Sequence, residues 1–221
     1  METKDNTRNI KTGYLLFVTG LFIASLGVAF STKAGLGTSP VSSVPYSISL
    51  VNGLFTFGGW LNVFSITQIV IQVMVMKGKC NYIEIVIQTA LAFVYGYLTD
   101  MSCYLIRNIS ADTYPEQIFY LLLSCAILGF GIWIQLKGGV AMLPGEAMNR
   151  AISKAVGIKY GNVKIFFDIL YIAISAVICL VFMGHLEGVR EGSIIAAVLI
   201  GNIIKFYETI YRYIKKRLSA E

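Results

Sequence analysis

Two clusters of polar residues in this 221-residue chain have the types needed to hold a solute, and each surrounds a proline in an apolar background. The first, Gly37, Thr38, Ser39 and Ser42 around Pro40, offers hydroxyls and no charge. The second, Glu146, Asn149 and Arg150 just after Pro144, is charged. Proline is favoured at the first position of a helix, and a helix start presents unpaired N–H groups and a positive dipole end. Such ends suit an anionic or strongly dipolar group, so Gly37, Thr38, Ser39, Ser42, Glu146, Asn149 and Arg150 are the expected substrate-binding residues. Asp168 is the ion-coupling candidate, because a carboxylate inside an apolar segment is costly in lipid and is a functional candidate by default. Lys164, four residues earlier, offers it an ordinary partner on the same helix face.

No catalytic arrangement accompanies these clusters. The chain holds no HExxH, no GxSxG and no Walker GxxxxGK[ST] pattern. Its cysteines, Cys80, Cys103, Cys125 and Cys179, are far apart, and its single histidine, His185, lies in a short turn. Neither a zinc site nor a disulfide framework is indicated. We therefore expect no enzyme, no cofactor and no metal, and without a nucleotide site the chain by itself is no ATP-driven pump.

The elements that must position the clusters are membrane helices. Hydrophobic residues make up 56% of the chain and charged residues only 14%, against roughly 25% charged in soluble proteins. The apolar residues fall in blocks of roughly 18 to 24, long enough to cross a hydrocarbon core of about 30 Å. Spans are predicted near residues 14–30, 60–76, 83–104, 118–136, 163–183 and 193–211. Residues 40–51 and 144–156 are too short and polar to span, and each reads as a helix from a proline to a glycine, Gly53 or Gly157. Either helix could be re-entrant or could lie at the interface.

Charge orients the bundle. With the N-terminus inside, 15 of the 18 lysines and arginines face the cytoplasm, and only Lys33, Arg107 and Arg190 face out. Both termini are then cytoplasmic, and the net charge of +6 reflects topology; no nucleic acid partner is expected.

Sliding the chain by 104 residues exposes an internal repeat. Ile23, Gly27, Lys33, Gly35, Pro40, Ile48, Ser49 and Gly53 fall on Ile127, Gly131, Lys137, Gly139, Pro144, Ile152, Ser153 and Gly157. Roughly two identities are expected by chance over that stretch. Each copy would hold three spans, and an odd number forces the second copy to insert upside down. The predicted fold is all-α: a six-span helical membrane bundle of two inverted three-span repeats, 12–106 and 118–213, in one membrane domain covering 1–221.

The stretch Lys33-Ala-Gly-Leu-Gly-Thr-Ser-Pro40, together with Leu199-Ile-Gly-Asn-Ile-Ile-Lys205, resembles the YczE/YyaS/YitT-like family of small bacterial integral membrane proteins. The resemblance implies a multi-pass protein of the bacterial cytoplasmic (inner) membrane and carries over no ligand residues. Val140-Ala-Met-Leu143 departs from the polar Gly37-Thr-Ser39, so a pseudosymmetric site would be lopsided.

Taken together, the residues point to a secondary transporter or permease for a small polar or anionic solute, with membrane lipid as its surroundings and homo-oligomer formation left open. Two alternatives stand beside it: a non-transporting scaffold or regulatory subunit, and the substrate-binding subunit of a multi-part vitamin importer, which would need no inverted repeat. The charge split makes a direct prediction. Cysteines replacing Lys79 and Lys216 should label from the cytoplasm and one replacing Arg107 from outside; residues 79 and 107 labelling from one side would remove the six-span topology.

Overall fold

The computed structural model describes residues 10–77 and 81–218. The topology markers Lys4, Arg8 and Lys79, and Cys80, lie outside the described residues. Eight helices are described: α1 (Ile10–Ala34), α2 (Pro40–Val51), α3 (Phe57–Val75), α4 (Tyr82–Leu105), α5 (Tyr114–Gly138), α6 (Pro144–Val156), α7 (Tyr160–Met183) and α8 (Glu191–Leu218). Six of them, all but α2 and α6, are long and apolar enough to cross a membrane. They extend beyond the apolar blocks because a helix does not stop where lipid does. At 28 residues and about 1.5 Å per residue, α8 is roughly 42 Å long.

Local chemistry sets several ends. Glu116 Oε2 accepts from the backbone N–H groups of Asp112 (2.9 Å) and Thr113 (3.2 Å), tying down the entry to α5. Gly157 closes α6 in the left-handed region, φ 75°, as its glycine suggested. Gly53 does not do this for α2. That helix ends on an extended Asn52, whose side chain accepts from Leu54 N–H at 3.0 Å while its carbonyl accepts from Trp60 Nε1; an asparagine side chain can replace the glycine cap. The start of α3 is capped from α4: Asp100 accepts from Thr56 Oγ1 (2.6 Å) and from Gly58 N–H (2.7 Å). Asp100 thus has a structural task, whereas Lys205 is exposed.

The centre of the bundle is an antiparallel pair. Gly13 faces Gly138, Gly20 faces Gly131 and Gln135, and Gly27 faces Leu128, so α1 and α5 run in opposite directions with their backbones nearly touching. A Cβ on Gly27 would lie 2.5 Å from Leu128 N, and one on Gly131 would lie 2.5 Å from Ala24 N. Small residues are the means by which membrane helices approach closely, since lipid supplies no hydrophobic drive between them. Around this pair, α4 packs on α1 and α8 on α5; α2 packs on α7 and α6 on α3.

The short helices begin against the middle of longer ones. Ser43 of α2 donates from Oγ to the carbonyl of Tyr171, the twelfth of 24 residues in α7. Gly145 of α6 packs on the amide of Gln68, the twelfth of 19 residues in α3. Each short helix therefore starts beside the middle of a spanning helix, and Val44 and Met148 meet there in one apolar cluster with Tyr171.

The glycine seam yields a stability prediction. Gly27→Val and Gly131→Val should each cost about 1–3 kcal/mol or more through overpacking against backbone that cannot yield. Gly201, with open space where its Cβ would sit, should accept alanine with no loss or a gain of up to about 1 kcal/mol. Thermal unfolding in detergent measures both, and equal melting temperatures for all three variants would refute the close approach.

Candidate functional site

The two glycine-containing loops have opposite fates. In the first, Gly37 (φ 90°) pairs with Val189 in an antiparallel bridge, and Thr38 N–H donates to Gly188 O at 3.4 Å. Arg190 Nη1 donates to Gly35 O at 3.2 Å. A Cβ on Gly37 would collide with Ser193 Oγ and lie 2.6 Å from Arg190 N, so only glycine fits. The α7–α8 connection thereby covers the loop, and Gly37, Thr38, Ser39 and Ser42 are buried. Their polar groups are used internally: Ser39 Oγ donates to Ser42 Oγ at 3.1 Å. Deeper along α2, Ser47 is hydrogen-bonded to Ser175, and Cys179 Sγ donates to Ser47 Oγ at 3.3 Å. A bulky side chain at residue 37 would therefore displace residues 188–193.

The second loop, residues 139–143, has no strand-like cover; Val140, Ala141 and Leu143 are half-buried against Phe17, Leu21 and Leu91, and its other side borders a cavity of about 480 Å³. Its walls come from the start of α4 (Glu84, Gln88), the end of α5 (Gln135), the loop itself, and α6 (Glu146, Arg150), with Phe17, Ile83, Ile87 and Ile132 as the apolar surface. A smaller space of about 220 Å³ shares Asn81, Glu84, Met142 and Arg150 with it and adds Gln72 and Lys154. Glu146 and Arg150, two of the expected binding residues, thus line one cavity, and the residues of the first cluster do not. Asn149 is buried on α6, with no partner for its Oδ1.

Partners are missing where the cavity lies. Glu146 makes no direct hydrogen bond or ion pair among the described residues, although the Lys164 ammonium of α7 acts on its carboxylate from beyond ion-pair distance; Arg150 reaches only the Met142 sulfur, at 3.5 Å. Gln88 donates to Glu84 at 3.4 Å, but its Oε1 is buried without a partner; so are Gln72 Oε1 and Gln135 Nε2. Leaving such atoms unpaired costs about 1–3 kcal/mol each, and sites kept at a cost in stability are commonly functional. Asp168 pairs with Lys164 at 2.5 Å, while its Oδ1 is buried and unpartnered.

Glu84, Gln88 and Gln135 belong to the cavity although sequence patterns single them out only as a helix-end acid and as packing amides. Glu84 and Gln88, at i and i+4, share a helix face. The convergence of that face with the end of α5 has no local signal.

Six spanning-length apolar helices among the described residues define a multi-pass helical integral membrane protein. Residues 11–209 match the family described as a family of unknown function, DUF6198, and the chain belongs to that family. It is a YyaS-like family: the chain is 24% identical over 175 residues to "Uncharacterized protein YyaS" of Bacillus subtilis (strain 168), covering 77% of this chain and 81% of that protein. No solved structure matches the chain.

The orphaned amide of Gln88 carries a prediction. Gln88→Met keeps the volume and removes the unpaired oxygen, so the variant should be as stable as the parent or more stable by about 1 kcal/mol. A clear fall in melting temperature in detergent would mean that the amide as a whole, with its 3.4 Å hydrogen bond to Glu84, stabilises the fold by more than its unpaired oxygen costs.

Proposed function

We propose that the protein is a secondary transporter or permease for a small polar or anionic solute, built from two inverted repeats, 12–106 and 118–213. The observation that carries this reading is the unequal treatment of equivalent loops: at an offset of 104, residues 35–39 are covered and residues 139–143 open onto a cavity. In a two-repeat transporter, exchanging the conformations of the two copies closes one side and opens the other. Reciprocal contacts support the pseudo-twofold. Gly27 packs on Leu128 and Gly131 on Ala24, so each contact is the other shifted by 104 with its partners exchanged. Val44 and Met148, also 104 apart, meet in one cluster.

On this reading α2 and α6 are re-entrant, the cavity faces the cytoplasm, and the contacts of residues 188–193 with 35–38 form the outer gate. Both termini are cytoplasmic, in a bacterial inner membrane. Solute binding is assigned to Glu146 and Arg150, with Asn149 behind them, and Gly37, Thr38, Ser39 and Ser42 act when the outer side opens. Asp168 keeps the role of coupling carboxylate, since one of its oxygens is unclaimed by Lys164. No catalysis is assigned to it. Lipid surrounds the bundle, and self-association is compatible with the reading.

Labelling tests the gate. On a cysteine-free background in membranes, Met142→Cys should react with a charged thiol reagent from the cytoplasmic side, and Thr38→Cys from the opposite side. Prior modification of Met142→Cys, which wedges the cavity open, should slow reaction of Thr38→Cys roughly tenfold by shifting the population. A Thr38→Cys that reacts from neither side in the folded protein describes a rigid scaffold and would overturn the proposal.

A further inference from the structure

The cavity holds both signs of charge, and its members do not neutralise one another. Glu146 and Arg150 stand at i and i+4 on α6, with Cβ atoms about 5–6 Å apart and the acid first, which is the favourable order for an intrahelical pair. They form none among the described residues; Arg150 turns to Met142 at 3.5 Å. Over the cavity and its smaller neighbour, Glu84 and Glu146 balance Arg150 and Lys154.

The buried amides ask independently for the same chemistry. Gln88, 0% exposed, offers an acceptor oxygen with no donor, and Gln135, 7% exposed, offers a donor nitrogen with no acceptor. Both line the larger cavity. A pure anion would meet Glu146 and leave Gln88 Oε1 unpaired, and a pure cation would meet Arg150 and leave Gln135 Nε2 unpaired. About 480 Å³ lies within the roughly 300–1,000 Å³ typical of small-molecule sites.

We propose that this cavity binds a small zwitterion carrying an N–H-bearing ammonium and a carboxylate a few bonds apart, the ammonium held by Glu146 and Gln88 and the carboxylate by Arg150 and Gln135. The inference deepens the transport reading by naming the solute class as amino-acid-like. It narrows the polar or anionic solute expected from the repeated helix starts, because the open loop brings an acid and a base together. A phosphatidylethanolamine headgroup has related chemistry, and the free solute is the occupant assigned here.

Binding to the full-length protein in nanodiscs of pure phosphatidylglycerol tests this without requiring transport. Calorimetric titration with alanine, serine and leucine should give saturable binding for at least one of them, while propionate and ethylammonium at equal concentrations give none. Glu146→Gln and Arg150→Gln should each weaken that binding about 10- to 100-fold, the effect of losing one charge-assisted hydrogen bond. Gln88→Met, chosen to preserve folding, should weaken it severalfold in case either charge variant fails to fold. Binding of propionate in place of the amino acids, or of no amino acid at all, overturns the proposal. Calorimetric saturation by phosphatidylethanolamine alone, with no response to free amino acids, overturns it in favour of the lipid. The two readings fail separately: amino-acid binding without any reaction at Thr38→Cys would sink transport alone, and reciprocal gating with propionate as the bound species would sink the zwitterion alone.

Discussion

Everything else in the bundle hangs on the approach of α1 to α5. The glycines at residues 13, 20 and 27 recur at intervals of seven and meet Gly131 and Gly138 across the seam, with carbonyls and amides where side chains would otherwise stand. Because lipid is as apolar as leucine, this contact gains through close dispersion packing and not through burial from water. It also makes α1 the most buried of the six long helices. With that pair as the axis, α4 packs on α1 and α8 on α5, and the short helices reach the middle of α7 and α3.

The short helices satisfy their polar groups unequally. Along α2, Ser43, Ser47, Ser175 and Cys179 form a ladder of internal hydrogen bonds, so an uncharged helix is absorbed into the bundle. α6 carries Glu146, Asn149, Arg150 and Lys154 and finds no such ladder; Gln72, Gln88 and Gln135, each with one buried amide atom unpartnered, gather at its side. Polar groups in a membrane bundle are sustained by burial in protein or by a wet cavity; α2 is buried among its neighbours, and α6 borders a cavity. The aromatic cluster of Trp133, Tyr207 and Tyr211, with Glu208 accepting from Trp133 Nε1 (3.1 Å) and paired with Lys137 (2.8 Å), braces the end of α5 beside the open loop.

Much of the fold could be read in advance because helix formation in lipid is a local matter. Apolar length selects the spans, and Pro40 and Pro144 mark the short helix starts at the residues where they occur. The reading of Asp168 with Lys164 needed only a separation of four residues. Gly53 illustrates the limit of such local rules, since Asn52 ended α2 before the glycine was reached.

By itself the sequence determined the number and place of the spanning helices and of the two short ones between them, since each depends on composition and spacing along one segment. Only the tertiary structure decided which loop is covered and which polar residues share a cavity. Gly37 and Thr38 meet Val189 and Gly188 across some 150 residues of chain, and Gln88 joins Gln135 and Glu146 from three different helices. Those meetings follow from how far α1 can approach α5 and from which side of that pair each helix packs, and distances between segments remote in the chain leave no periodic trace in any one of them.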